Sequence, residues 1–331
     1  MCGRTACTLN PDEIPKYCSY KSKSGKVQTP QWKKTSSASY FPSYNIAPQA
    51  CTPVLISSKH IPKTRSKEGT DDLPERSLQA MRWGLVPSWY KGGLKEFSLS
   101  TNNARKDSLT EKASFKTPLM KGRRCVVLAD GFFEWKTENA RKKQPYFIYF
   151  KKEDQKPTSS DQDVPREDNK RLLTMAGVFD CWKPQGVSDA DDDNLVYSYA
   201  IITVESSSSL IWLHHRMPAI LDGDEAVQQW LDYGNIPYTK AIHLLKSVTD
   251  CLEWHPVTTQ MNNSRYKEPD CIKPLTLNGN RKQSKCGLMS WLVRSPKKEV
   301  IKTEPKTSQG HKNAASTEHE DSSPAKKIKI V

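Results

Sequence analysis

The stretch RRCVVLADGFFEW, residues 123–135, decides how this chain folds. Arg124–Ala129 is a short apolar run rich in Val and Leu, and such a run reads as a strand. Phe132, Phe133 and Trp135 then flank Glu134 at the end of that strand. Runs of the same kind recur at Thr52–Ser57, Pro145–Phe150, Leu172–Phe179 and Tyr197–Val204. Asp224–Leu231 reads as a helix, with acidic residues in its opening turn and apolar residues at helical spacing, and Thr239–Leu245 reads as another. Stretches 57–77, 151–170 and 183–194 are polar and charged without apolar periodicity, which makes them surface loops. No repeat of fixed period is visible. The expectation is an α+β domain over residues 2–272, mostly sheet with peripheral helices.

Composition frames this domain. A 331-residue chain with 36% hydrophobic residues can bury a full core, while a mean hydropathy of -0.73 assigns part of it to an unfolded segment. Residues 273–331 carry thirteen Lys or Arg against five Asp or Glu, a net charge of +8 that leaves +6 for residues 1–272. Rich in Ser, Thr, Lys and Pro, that segment reads as a disordered basic tail. The overall charge of +14 fits a polyanionic partner. No apolar run reaches transmembrane length, and MCGRTACTLN lacks the apolar stretch of a secretory signal, so an intracellular protein without membrane contact is expected. The nine cysteines are scattered and contain no C-x-x-C, which suggests neither a disulfide framework nor a zinc site. No metal and no cofactor are expected.

Residue 2 is the most reactive position on the page. Removal of Met1 would leave an N-terminal cysteine, with two nucleophiles on one residue. An α-amine has a pKa of about 7.7–8.0 against about 10.4 for lysine, so near neutrality far more of it is uncharged and able to attack an aldehyde. After the imine forms, the thiol can close intramolecularly onto the imine carbon as a five-membered thiazolidine. The alternative is an ordinary early residue in a frayed terminus.

Other stretches hold polar groups in unusual company. Burial of Glu134 among aromatic rings would raise its carboxyl pKa and suit it to general acid or base work; the plainer reading is a surface glutamate after an aromatic pair. His214-His215-Arg216-Met217-Pro218 sets imidazoles beside apolar chain, where one histidine could shuttle protons, or one could cap backbone groups while the other is exposed. Met81–Trp89 interleaves tryptophans, an arginine and turn residues, a mixture that stacks on unpaired bases and neutralises phosphate, although tryptophans of this kind more often belong to a core. Asn102-Asn103-Ala104-Arg105 adds amides and another arginine.

Taken in order, MCGR at 1–4, YNIAPQ at 44–49, RWGLVPSW at 82–89, NAR at 103–105, GFFEW at 131–135, HHRMPAIL at 214–221 and MNNSR at 261–265 resemble the SRAP family. The resemblance implies a single domain around a distorted β-barrel-like sheet with a positive cleft for single-stranded DNA, including single/double-strand junctions. It implies that Cys2 captures the ring-opened aldehyde of an abasic deoxyribose as a stable thiazolidine crosslink, with Asn103 orienting the sugar, Glu134 as the catalytic carboxylate and His214 as the histidine. His215 is the competitor for that last role. Arg4, Pro48, Trp83, Arg105, Thr203 and Arg216 fall where the family contacts phosphate or stacks along the strand.

In the tail, Lys285–Leu292 places Leu288, Trp291 and Leu292 at helical spacing and looks like a degenerate peptide for the replication clamp PCNA. The terminal PAKKIKIV resembles a nuclear-localisation patch, so a nuclear monomer acting on chromatin at replication forks is expected. Two other readings use the same residues. One is a non-covalent reader of single-stranded or modified DNA, such as 5-hydroxymethylcytosine, and the other is an amidohydrolase or self-processing peptidase with an N-terminal nucleophile.

Overall fold

The computed structural model describes residues 2–22, 24–33, 40–61, 75–139, 142–151, 170–186 and 194–275. The tail from residue 276, with its clamp-like peptide and basic patch, and most of the three loops lie outside the described residues. Among these residues the strands are β1 (Thr5–Cys7), β2 (Tyr20–Lys21), β3 (Val27–Gln28), β4 (Gln31–Trp32), β5 (Ser43–Ile46), β6 (Cys51–Ser57), β7 (Arg76–Trp83), β8 (Asn103–Arg105), β9 (Arg124–Ala129), β10 (Gly131–Asn139), β11 (Lys142–Phe150), β12 (Leu173–Trp182), β13 (Val196–Glu205), β14 (Arg216–Pro218) and β15 (Leu252–Pro256). The α-helices are α1 (Ile14–Tyr17), α2 (Ala113–Met120), α3 (Asp224–Leu231) and α4 (Tyr238–Ala241). The fold is α+β and mostly sheet.

One sheet has the order β15-β11-β10-β1-β5, and a larger one runs β14-β13-β12-β9-β6-β7-β4 with β8 added to β13. A short parallel pairing, Ser198 with Arg82 and Tyr199 with Trp83, joins β13 to β7 and closes β13, β12, β9, β6 and β7 into a ring. Every residue of β9 is buried, as expected of a strand covered on both faces. Around it pack Val54, Leu78, Met81, Met175, Ala176 and Ile201, all with no exposed surface. Helix α3 follows its periodicity: Val227, Trp230 and Leu231 are buried at spacings of three and four, and Asp224 and Glu225 sit in its first turn.

Gly131 opens β10 at a point where β11 approaches closely. A Cβ there would lie 2.4 Å from the Ile148 carbonyl oxygen and 2.6 Å from the Phe147 ring, so only glycine lets β11 pack this closely. The bounds of β10 correct the sequence reading of Glu134: the strand continues to Asn139, and Glu134 lies within a strand rather than at its end. Two more corrections follow. The segment 57–77 contains a 3-10 turn at Ser58–His60 and the beginning of β7. The second helix is one turn, Tyr238–Ala241, continued as a 3-10 turn over Ile242–Leu244.

Candidate active site

The site is assembled on β1, which lies between β10 and β5. Thr5 pairs with Phe132 and Ala6 with Gly131, and the Phe133 N–H donates to the Arg4 carbonyl at 3.0 Å. Continued toward the N-terminus, this register brings residues 2 and 3 alongside Glu134. Cys2 is fully buried. Burial, and next the Glu134 carboxylate, push its thiol far above the ordinary cysteine value.

Beneath β1 a second asparagine, which sequence reasoning passed over, fixes the terminus. Asn45 of β5 is buried and its Nδ2 donates to the carbonyls of Met261 (2.9 Å), Asn263 (3.2 Å) and Tyr266 (2.8 Å). Its Oδ1 accepts from Arg4 Nη1 at 2.6 Å, and the Arg4 guanidinium also reaches the carbonyls of Met261 and Asn262, both at 3.1 Å. Arg4 and the MNNSR segment therefore meet, but as an internal brace. In the sequence Asn45 stands out only as part of YNIAPQ, residues 44–49, with no role of its own.

Asn103 opens β8, which runs parallel to β13 with Asn103 beside Ile201. Its Nδ2 donates to the Cys2 carbonyl at 2.8 Å, while its Oδ1 is buried without a hydrogen-bond partner. Glu134 is buried on β10 opposite Tyr146. His214 lies near the end of the segment between β13 and β14, with Nδ1 3.7 Å from Glu134 Oε1 and 3.0 Å from both the N–H and the carbonyl oxygen of Arg216. Burial lowers the His214 pKa, opposed by the Glu134 charge, so the ring favours its neutral form. His215 is exposed and stacks on His214 with centroids 4.4 Å apart. Of the two histidines, His214 is the one beside the carboxylate.

The softer assignments divide. Arg105 is exposed at the end of β8, and Pro48 is half-buried in the turn 47–50, where Gln49 takes the left-handed region at φ 79°. Trp83 and Thr203 have no exposed surface. Trp83 donates its indole N–H to the Asn102 carbonyl at 3.0 Å and stacks in the core near Tyr199, so it supports the Asn103 strand and offers no face to a base. The expectation of a stacking surface at Trp83 is thereby corrected. Arg216 is also buried, its guanidinium held by Asp107 at 2.7 Å and by the Thr203 carbonyl at 2.7 Å.

Asn103 Oδ1, Thr203 Oγ1, Ser206 Oγ and Arg216 Nε are all buried side-chain atoms without hydrogen-bond partners, and they lie on or beside the neighbouring strands β8, β13 and β14. Gln79 Oε1 and Arg124 Nε and Nη1, elsewhere in the domain, are likewise buried without such partners, so what distinguishes these four is their closeness to Cys2, Glu134 and His214 in the chain's fold. Ser206, which the sequence did not single out, lines a cavity of about 10 Å³ with Glu134, His214 and Arg216. Among the described residues no cluster of three or more His, Cys, Asp or Glu could hold a metal ion, and no helix is long and apolar enough to cross a membrane. The eight described cysteines are all free thiols.

The description "SOS response associated peptidase (SRAP)" matches residues 1–264. The chain is 46% identical over 305 residues to the abasic site processing protein HMCES of Xenopus tropicalis, covering 90% of this chain and 87% of that one. It is 29% identical to the abasic site processing protein YoqW of Bacillus subtilis over 236 residues, 71% of this chain and 87% of the relative. A crystal structure of a Bacteroides thetaiotaomicron protein superimposes with a TM-score of 0.59 at 22% identity, covering 83% of this chain and all of that chain, a likeness of fold.

Proposed function

The chain belongs to the SOS response associated peptidase (SRAP) family, and on that premise we propose that it processes abasic sites in single-stranded DNA by capturing them covalently on Cys2. The observation that carries this reading is the convergence of Cys2, Asn103, Glu134 and His214 from four separate stretches of chain.

With Met1 removed, the α-amine of Cys2 attacks the aldehyde C1′ of the ring-opened sugar. The carbinolamine loses water to give an imine, and the thiol sulfur then bonds to the same carbon while its proton passes to nitrogen. One water leaves overall, and the product is a thiazolidine. A thiol kept protonated by burial suits this order, in which the amine reacts first and sulfur follows with assistance. Glu134 moves protons in both the dehydration and the ring closure, neutral His214 exchanges a proton with the sugar oxygen, and Asn103 fixes the Cys2 backbone while its free Oδ1 accepts from the sugar. Because no imine remains, the strand is shielded from β-elimination. Exposed Arg105 would meet the backbone phosphates. Nuclear action at replication forks, docking on PCNA through Leu288, Trp291 and Leu292, and a monomeric state extend the same reading.

The test mixes the purified chain with single-stranded DNA bearing one abasic site, then measures the intact mass of the denatured adduct and maps the modified residue. An adduct on residue 2, lacking Met1 and lighter by one water than the sum of the reactants, is the expected result. Bound DNA without any adduct, with Cys2 demonstrably N-terminal, would overturn covalent capture and leave a non-covalent reader.

A further inference from the structure

We propose that Trp212, with Tyr146 and Trp254 beneath it and Lys136 beside it, is a stacking platform for the unpaired bases that flank the lesion. The proposal rests on the reading of the site as one that takes single-stranded DNA, and it assigns the path the strand follows on leaving that site.

The platform grows out of the catalytic face of the smaller sheet. Because successive side chains alternate, Glu134 and Lys136 share a face of β10. Tyr146 of β11 stands directly opposite Glu134, and Trp254 of β15 opposite Ile148. Tyr146 is therefore one strand spacing, about 4.8 Å, from the carboxylate-bearing position. The segment ending in His214 folds over this face, so that Trp212, two residues earlier, meets Tyr146 edge-on with centroids 5.1 Å apart at 84° and lies 6.3 Å from Trp254. The Trp212 indole N–H donates to the Ser209 carbonyl at 2.8 Å, which fixes the ring, and Lys136 Nζ sits over it at 5.5 Å from the centroid.

Despite these contacts Trp212 is 40% exposed and its neighbour Ile211 55%. Two adjacent large apolar side chains left in solvent, one oriented by its own hydrogen bond, form a surface to be explained. The occupant is chosen by charge and continuity. A lysine over an aromatic ring neutralises phosphate where a base stacks on the ring, and the surface continues directly from Glu134 and His214.

The experiment measures binding of the full chain to a lesion-free single-stranded oligonucleotide by fluorescence anisotropy, and in parallel adduct formation with the abasic oligonucleotide at limiting DNA, for wild type, Trp212→Ala, Trp212→Phe and Lys136→Gln. Replacing Trp212 by Ala should weaken lesion-free binding about tenfold and slow capture in step, Phe should recover most of the loss, and Lys136→Gln should lower the slope of log affinity against log salt by about 0.7. Wild-type affinity in Trp212→Ala together with an undiminished slope in Lys136→Gln would overturn the platform, and would point the exposed pair toward a protein partner. The two readings fail separately. No adduct in any protein, with the Trp212 effect on lesion-free binding intact, removes covalent capture and keeps the platform, whereas equal affinity with normal adduct removes the platform alone.

Discussion

Two asparagines that hold the N-terminal segment, Asn45 buried on β5 and Asn103 half-buried on β8, divide the labour of this molecule. Asn45 spends its amide on three carbonyls and its oxygen on Arg4, and every bond it makes is internal. Asn103 makes one bond, to the Cys2 carbonyl, and keeps a buried oxygen without a partner. The same side chain is thus a rivet where its capacity is exhausted and, on the proposed reading, a receptor where it is not. The lesson extends to the neighbours: Arg4 belongs to the brace, whereas Ser206 and Arg216 Nε share the unsatisfied face.

The strongest way to sharpen this contrast is on the receptor side. Glu134→Gln keeps the shape of the side chain but removes its proton transfer, and it should slow adduct formation by about a hundredfold or more, read as single-turnover rates on denaturing gels. A rate within threefold of wild type would take Glu134 out of the chemistry. Next comes the pair itself. Asn45→Ala removes the donor to the carbonyls of Asn263 and Tyr266 and one of the acceptors of Arg4, and should cost about 2 kcal/mol in urea unfolding with an unchanged slope, while the folded fraction still captures. Asn103→Ala should show the reverse, with stability within about 1 kcal/mol and a capture rate lower by about tenfold. Equal loss of stability in both would break the distinction between rivet and receptor.

The smallest effect is far from either asparagine. His60 packs against Tyr233 and Phe179 and bonds the Gly122 carbonyl at 3.0 Å. Burial lowers its pKa to about 4, from the ordinary 6.5. The unfolded chain therefore takes up this proton first as pH falls. The stability that neutral His60 supplies is complete above pH 6.5 and is lost as pH falls from there through 4, amounting to about 1–2 kcal/mol by pH 5. Unfolding curves of wild type and His60→Phe should diverge below pH 6.5, with the variant less acid-sensitive; parallel curves would show that the ring protonates freely in the fold.

How much of this was legible depended on whether burial was achieved with apolar residues. Strand β9 and helix α3 have the bounds read from sequence, because Val and Leu in the one, and Val, Trp and Leu at helical spacing in the other, carry the signal directly. Strand β7 was missed because Arg76, Ser77 and Gln79 are buried polar residues, made tolerable for Arg76 and Ser77 by partners remote in sequence: Asp224 for Arg76 and Ser58 for Ser77. Glu134, Asn103 and His214 were legible as types in odd company, and the family resemblance supplied their association. Asn45, Ser206 and Trp212 owe their roles to contacts across long sequence separations or to the fold of one segment over a sheet. Trp83 misled for the opposite reason, since an aromatic next to arginine reads the same whether its ring faces solvent or core.

The position of β1 carries a consequence for the timing of synthesis. Its partners are β5, complete at residue 46, and β10, which ends at Asn139, so the slot that buries Cys2 is not finished until the ribosome has passed that residue. At about 5–20 residues per second, the nascent terminus stays accessible for about 7–30 s. On the proposed reading, trimming of Met1 would belong to that interval. If Cys2 is the nucleophile proposed above, a chain that misses the interval would fold with it still capped, and the speed of translation through the first half of the message would help set how much of the protein can react.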